Sequence, residues 1–191
     1  LVQALGMMSL IHRLIPDLEI HSSTQFHNDG QKTLDFLKDL GVKRAVLDRE
    51  MTLEEIKNLK TDLELEVFIH GALCVSYSGQ CLLSSYILNR SGNRGECAGL
   101  CRLPYKKDED ENYHYYLSLK DLFAKESVYD LIDAGVSSLK IEGRMKSPEY
   151  VGYITHIYRS LIDSYYDGSK RSLDGEEIRN IMLLYNRGMT S

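Results

Sequence analysis

Residues 64–81 read ELEVFIHGALCVSYSGQC, a strand pattern that runs directly into the first two cysteines of the chain. In the first part, apolar residues at odd positions alternate with a second set that contains Glu66 and His70. An alternation with a period of two indicates a β-strand whose two faces meet different surroundings. We therefore predict a strand over residues 64–70 that ends at Gly71.

Short strands alternate with helices along the rest of the chain, which is typical of a parallel sheet with crossover helices. Thr52 begins a helix with a capping-box sequence, and Ser147 and Pro148 open a long helix that ends near Gly168. The predicted strands are residues 19–26, 43–48, 64–70, 113–119 and 136–142, and the predicted helices are 2–14, 31–40, the segments after Thr52 and Ser147, and a short one within 172–191.

Two α/β architectures fit this order, a doubly wound sheet and a (β/α) barrel. No G-x-G-x-x-G follows any strand, so the sequence does not support a dinucleotide site. In the strands that contain His21, Glu66 and Glu142, one parity is polar, which favours a barrel with a polar interior. About five strands are visible, whereas a closed barrel needs about eight. We predict the C-terminal portion of a partial (β/α) TIM-type barrel with a four-cysteine loop insertion.

The predicted domain boundaries follow from this architecture. Residues 1–170 are the C-terminal part of the barrel domain, with a cysteine-rich loop over 71–112, and residues 171–191 begin a following segment that is truncated after NRGMTS. The chain starts at Leu1 and not at Met, which predicts a piece of a longer gene product. Because a barrel without its first strands exposes sheet edges, we expect a homo-oligomer, a swapped dimer or closure into a smaller open sheet.

The cysteines are the second informative feature, since all four lie between residues 74 and 101. Four thiolates on two adjacent loops can surround one metal centre. Their spacing matches neither the paired cysteines of a zinc ribbon nor a bacterial ferredoxin run. Ligand softness and clustering favour an iron–sulfur site over zinc, while disulfides and buried free thiols stay open as alternatives. The candidate cofactor and metal ligands are Cys74, Cys81, Cys97 and Cys101.

The composition excludes some classes of protein. A net charge of −5 argues against a general nucleic-acid-binding protein. No apolar run approaches the roughly 20 residues of a membrane span, and no signal peptide is visible, so we expect a cytoplasmic protein. Residues 90–107 are nevertheless basic, with Glu96 as their one acid. This stretch overlaps the last two cysteines, where it either compensates thiolate charge or forms an ordinary solvated loop.

Polar side chains on the predicted strands are the remaining candidates, because barrel chemistry lies at the C-terminal ends of strands. Carboxylates and a cation there can move protons or bind an anionic small molecule, and the alternative is a salt-bridged barrel interior. Peptidase motifs are absent, although a pair of Cys74 with His70 is conceivable. The candidates are Glu66, His70, Lys140, Glu142 and Arg144.

Several segments of the chain resemble one known family. Residues 66–84 (EVFIHGALCVSYSGQCLLS) are similar to the signature of the U32 peptidases, also called collagenase-like proteases. The supporting segments are HSSTQFHN at 21–28, LDRE at 47–50, SLKDL at 118–122 and KIEGRMKSPEYV at 140–151.

The resemblance implies a barrel-type catalytic domain and assigns a role to the cysteines. It implies that Cys74, Cys81, Cys97 and Cys101 correspond to the four cysteines that hold an iron–sulfur cluster, expected to be 4Fe–4S, in members of the family. Several members are oxygen-independent or prephenate-dependent hydroxylases. Their substrates are the wobble uridine of tRNA, a ribosomal RNA cytidine or a ubiquinone precursor. The resemblance thus implies RNA as a partner and prephenate as a possible co-substrate.

Three functional hypotheses follow. The first is the iron–sulfur part of an RNA hydroxylase, in which Arg144, Arg94 and Arg102 bind carboxylate or phosphate groups. In this hypothesis Lys140 also binds substrate, and Glu66, His70 and Glu142 handle protons. The second is a peptidase, as the family name says. The third is a non-catalytic binding module stabilised by a metal, with zinc as the alternative to iron.

Overall fold

A five-stranded sheet forms the centre of the computed structural model, which describes residues 1–144, 146–185 and 187. Its strands are β1 (His21–Ser22), β2 (Arg44–Val46), β3 (Glu64–Ala72), β4 (Asp121–Phe123) and β5 (Ser138–Ile141). Strand β3 is central, since it pairs with β2 and β5 in parallel and with β4 antiparallel, while β1 pairs in parallel with β2. The described strands form an open sheet, so the barrel remains a prediction.

Seven α-helices accompany these strands in the described part of the chain. The Thr52 hydroxyl accepts the Glu55 N–H at 3.2 Å and the Glu55 carboxylate accepts the Thr52 N–H at 2.7 Å, which confirms the predicted capping box. Ser147 caps the long helix through the Tyr150 N–H at 3.2 Å. The helices are α1 (Leu5–Leu14), α2 (Gln31–Asp39), α3 (Leu53–Asn58), α4 (Leu83–Leu88), α5 (Ser127–Asp133), α6 (Pro148–Tyr166) and α7 (Gly175–Leu184).

Apolar side chains from one face of the sheet form a single core with the helices. On β3, Leu65, Val67 and Ile69 are buried in this core. Every helix except α4 adds buried side chains to the same cluster, with Ile154 and Leu161 of α6 fully buried. The apolar residues at odd positions of β3 therefore face the helices, which explains their alternation with polar residues in the sequence.

The opposite face of the sheet carries charged side chains. Glu66 on β3 accepts hydrogen bonds from Lys140 Nζ at 2.7 Å and from Ser138 Oγ at 2.9 Å. Arg44 lies 3.4 Å from the Glu66 carboxylate and 2.6 Å from Glu64. This arrangement confirms the predicted polar parity at Glu66 and Lys140. Burial raises the pKa of the Glu66 carboxyl, but hydrogen bonds from Lys140 and Ser138 and the charges of Lys140 and Arg44 together lower it below its ordinary value.

Two predicted strands are wrong in whole or in part. In residues 113–119, backbone pairing is limited to one bridge between His114 and Tyr105, and the fourth strand is β4 instead. The predicted strand 19–26 forms only at β1, because a 3-10 turn follows that is capped by the Ser23 hydroxyl. The antiparallel direction of β4 also departs from the predicted all-parallel sheet.

The C-terminal part of the chain agrees with the predicted short helix, which is α7. Of the predicted NRGMTS ending, residues 186 and 188–191 lie outside the described residues. Among the described helices, none combines the length and the apolar character that a membrane crossing requires.

A bulge in β3 places His70 on the face that the helices cover. The register with β5 pairs Phe68 with Lys140. The next pair is His70 with Ile141, so Ile69 is an extra residue on β3. One extra residue reverses the side on which the following side chain lies. The prediction that His70 faces a polar barrel interior is therefore wrong.

The His70 ring is buried among aromatic side chains. Its Nδ1 atom lies 3.2 Å from the Tyr158 hydroxyl, and its ring packs against Phe123, Tyr150 and Tyr158. Burial, together with the nearby Lys146 charge, lowers the pKa of His70 to about 4. The side chain is therefore neutral at physiological pH.

We expect His70 to make the fold sensitive to mild acid. Its pKa is about 4 in the native state and about 6.5 in the unfolded chain. Between these values the unfolded chain binds a proton that the native chain does not, so stability falls as the pH drops below about 6.5. Urea titrations measure the free energy of unfolding at each pH. Between pH 7 and pH 5, this free energy should fall by about 2 kcal/mol less in His70→Leu than in wild type. An equal fall in the free energy of unfolding of the two proteins would contradict the lowered pKa of His70.

Gly71 allows β3 to approach the residue that follows β5. Its φ is 106°, and a Cβ atom there would lie 2.8 Å from the Glu142 carbonyl oxygen and 2.9 Å from the Glu142 Cβ. The Glu142 N–H donates to the His70 carbonyl at 2.9 Å, which fixes this approach. A side chain at residue 71 would therefore push the Glu142 backbone away from the sheet.

We expect Gly71→Ala to destabilise the protein more than Gly135→Ala. Gly135 also has a positive φ, of 82°, but a Cβ there would have no atom within 4 Å. The control therefore carries backbone strain without a clash, and the difference between the two variants should be about 1–3 kcal/mol. Chemical denaturation of both variants measures this difference. Equal losses would show that the Glu142 backbone moves aside at no cost.

Candidate functional site

The connection between β3 and β4, residues 73–120, carries all four cysteines. It contains α4 and three 3-10 turns, at Tyr77–Gly79, Gly92–Arg94 and Leu100–Arg102. It encloses two adjoining cavities together with Arg49, which follows β2, and Glu142, which follows β5. The cysteines therefore lie at the C-terminal ends of parallel strands, where α/β proteins commonly place ligands.

All four thiols line these two cavities. The first, here called the thiol cavity, has a volume of about 340 Å³ and is lined by Cys74, Cys81 and Cys97. The second, here called the cationic cavity, has a volume of about 400 Å³ and is lined by Cys74, Cys97 and Cys101. All four cysteines are free thiols, so the structure does not support the disulfide alternative.

Backbone N–H groups point at two of the sulfur atoms. The Leu83 N–H lies 3.4 Å from Cys81 Sγ, and the Gly99 N–H lies 3.4 Å from Cys97 Sγ. Such donors stabilise negative charge on sulfur and are among the contacts that tune iron–sulfur clusters. The Ser84 hydroxyl accepts the Ala98 N–H at 3.1 Å, which fixes the backbone next to Cys97.

Burial raises the pKa of the Cys101 thiol, with the neighbouring cysteines adding to this effect and Arg102 opposing it. The mutual influence of the four cysteines reflects their closeness. A bound metal would displace the proton from Cys101, so metal binding at this site would depend on pH.

The donor set is four free thiols, which is the ligand chemistry of zinc sites and of iron–sulfur clusters. In the described part of the chain, no three His, Cys, Asp or Glu side chains lie close enough together to hold one metal ion. A zinc ion needs its sulfur ligands about 2.3 Å from one point. A four-iron cluster takes one thiolate at each iron, so its ligands stand farther apart around a larger centre. Four thiols on the walls of two adjoining cavities supply the number of ligands that either site requires.

The cationic cavity is named for its other lining residues. Lys146 has a pKa lowered to about 8, primarily because it is buried and secondarily because Arg187 lies nearby. Arg49 stacks on Phe68 at 3.9 Å and pairs with Glu142 at 3.1 Å, and its buried Nε has no hydrogen-bond partner. A cavity with excess positive charge favours an anionic ligand. The cationic side chains are Arg49, Arg102, Arg144, Lys146 and Arg187.

Each of the four arginines has a partner within the protein, and that of Arg187 is Asp121 at 3.7 Å. Arg102 donates to the Ser118 hydroxyl at 3.0 Å, to the Leu119 carbonyl at 2.5 Å and to the Leu73 carbonyl. These bonds tie together the two ends of the cysteine-bearing connection. Arg144 donates to the Gly95 carbonyl at 2.6 Å through one of its terminal nitrogens.

The structure brings most of the predicted site residues together. Glu142, Arg144, Arg102 and the four cysteines line the two cavities. Glu66 and Lys140 instead pair with each other on the charged face of the sheet, and neither lines these cavities. Arg94 is exposed outside both, and His70 is in the core.

The sequence analysis did not identify three cavity residues, Arg49, Lys146 and Arg187. Arg49 lies in LDRE after β2, and Lys146 lies in KIEGRMKSPEYV after β5. Both segments follow the C-terminal end of a parallel strand, which is the signal that points to them. Arg187 carries no comparable signal, because it lies beyond α7 and reaches the cavity through the tertiary fold.

Comparison with known proteins connects this site to a family. The sequence model described as peptidase family U32 matches residues 1–191. The tRNA hydroxylation protein P1 of Bacillus subtilis is 41% identical over 166 residues, which cover 80% of this chain and 39% of that protein. A 23S rRNA 5-hydroxycytidine synthase of Escherichia coli is 44% identical over 171 residues, covering 86% and 26%. An uncharacterized protease of Methanocaldococcus jannaschii is 39% identical over 203 residues, covering 98% and 49%.

The coverage is uneven in one respect. The matches cover 80% to 98% of this chain. They cover 26% to 49% of the length of these three relatives. No solved structure matches the chain. The family match nevertheless extends over the β3 segment, the cysteine-bearing connection and the segment after β5 that form the two cavities. The chain therefore belongs to peptidase family U32.

Proposed function

We propose that this chain is the cluster-binding part of an RNA-hydroxylating enzyme. The observation that carries the proposal is the lining of two adjoining cavities by four free thiols, two of which receive backbone N–H groups. Relatives named for hydroxylation of tRNA and of ribosomal RNA support the reaction class. Cys74, Cys81, Cys97 and Cys101 would hold a 4Fe–4S cluster, which when bound supplies one-electron chemistry.

The protein side chains have separate tasks in this proposal. Arg49, Arg144 and Lys146 bind the carboxylates of a small anionic co-substrate in the cationic cavity, for which the family resemblance suggests prephenate. Lys146, with a pKa of about 8, can give up or take a proton near neutral pH. Glu142 is held by Arg49 at 3.1 Å and can accept a proton from a bound hydroxyl group.

The alternative of a peptidase finds less support in the geometry. A cysteine nucleophile needs a base within hydrogen-bond reach. His70, the candidate base for Cys74, lies in the core with Tyr158 as its hydrogen-bond partner and has a pKa of about 4. A purely structural metal module is also disfavoured, because it would not need a cavity lined by several cations next to the thiols.

The first test removes one thiol. Cys97→Ala in the full-length protein should abolish iron binding and RNA hydroxylation together, because three thiolates hold a four-iron cluster less firmly. Val75→Ala, at an exposed position on the same connection, is the matched control and should retain both properties. Iron content and the absorption spectrum are measured after anaerobic purification, and modified nucleosides in cells by mass spectrometry. Hydroxylation that persists in Cys97→Ala without iron would contradict the proposal.

The second test separates ligand binding from cluster binding. Arg144→Lys should retain iron but lower hydroxylation by about tenfold or more, because an ammonium cannot reproduce the planar two-bond contact of a guanidinium with a carboxylate. Arg94→Lys makes the same exchange outside both cavities and should behave as wild type. Normal hydroxylation in Arg144→Lys would exclude this role. Proteolysis by the metal-free protein, with unchanged nucleosides in a strain that lacks the gene and its paralogues, would favour the peptidase.

A further inference from the structure

The turn between Cys74 and Cys81 is held by one carboxylate from another part of the chain. The Glu50 carboxylate accepts the Ser78 N–H at 2.7 Å and the Ser78 hydroxyl at 2.7 Å. Ser78 is 1% exposed while Glu50 is exposed, so the two bonds are partly buried, and the Ser78 hydroxyl also acts on the Asp48 carboxylate. Glu50 follows β2 and lines neither cavity, so it reaches the turn from outside both cavities.

The backbone of the turn explains why a strong partner is needed. Ser78 has φ of 40° and ψ of 36°, in the left-handed region that residues with a side chain rarely occupy. Such a conformation persists where the surroundings over-determine it. The paired bonds from Ser78 to Glu50 are suited to this, because they fix both its main chain and its side chain.

The flanking contacts of the turn are more exposed. Tyr77 stacks on His27 with ring centroids 5.2 Å apart, and its hydroxyl donates to Asp29 at 3.1 Å. Gln80 donates to the Gln25 carbonyl at 2.6 Å. These contacts dock the turn on the segment after β1, but water competes for the exposed bonds. The bonds to Glu50 are therefore the ones whose loss would release the turn.

We propose that Glu50 is a positioning residue that sets the turn carrying Cys74 and Cys81, and through it the place of these two thiols. Its role for the cluster rests on the proposed function, whereas its role for the turn does not. Glu50 touches neither a thiol nor a cavity in the described structure, so it acts through Ser78.

The test uses the full-length protein, first without metal. Glu50→Ala should speed amide hydrogen exchange in residues 74–82 by about tenfold or more, because the N–H of the buried Ser78 loses its acceptor. Glu50→Gln should stay near wild type, since its amide can accept the Ser78 N–H and donate to the hydroxyl. Glu54→Ala, at an exposed position four residues away, is the matched control. Ser78→Ala removes the hydroxyl bond and keeps the backbone strain, and should give an intermediate increase.

Iron loading is the second readout. Glu50→Ala loaded anaerobically should lose iron about tenfold faster than wild type on exposure to a chelator, and Glu50→Gln should restore retention. Exchange in residues 74–82 that is unchanged in both Glu50→Ala and Ser78→Ala would overturn the proposal. Faster exchange in Glu50→Ala with no iron bound by wild type would support the positioning role and contradict the proposed function. Should Glu50→Ala fail to fold, Ser78→Ala alone decides, with wild-type exchange overturning the proposal.

Discussion

The hydrogen bonding of β3 to three other strands is the constraint on which the rest of the structure depends. Its first half pairs with β2 and β5 in parallel, which brings the ends of both strands to one edge. Its last residues pair with β4, which runs antiparallel to β3. The chain between β3 and β4 therefore begins and ends at the same edge of the sheet. The connection that makes this return holds the four cysteines. The position of the thiols above Arg49 and Glu142 is thus a result of strand order.

The charged side chains form two separate groups, one on the charged face of the sheet and one in the cationic cavity. The face with Glu66 and Lys140 satisfies its charges internally through short ion pairs. The edge with Arg144 and Lys146 has more cations than nearby acids, and burial there lowers the pKa of Lys146. Charges paired within the protein contribute to structure, while an excess of one sign next to four thiols is suited to a ligand. The aromatic ring of Phe68 contacts Arg49 and Lys140 and so lies between the two places.

Local patterns predicted those features that depend on local rules. The capping box at Thr52, the helix start at Ser147 and the place of Glu66 on the polar face of the sheet all follow from neighbouring residues. The side on which His70 lies could not be read in the same way, because a bulge is decided by the partner strand. The aromatic stretch 113–119 has the residue types of a strand. In the described structure it has no neighbouring strand beyond the bridge at Tyr105, so a prediction from strand propensity alone was wrong there.

The bonds of Arg102 to Leu73 and Leu119 have a consequence for how a cofactor could be rebuilt. They close the long connection at its base, independently of anything bound between the thiols. Closing a long flexible loop costs conformational entropy, and here the protein meets that cost during folding. The thiols therefore stay at a high effective concentration with respect to one another when no metal is present. Under the proposed function, oxidative loss of the cluster would leave the thiol-lined cavities nearly unchanged in shape, so a new cluster would form without refolding.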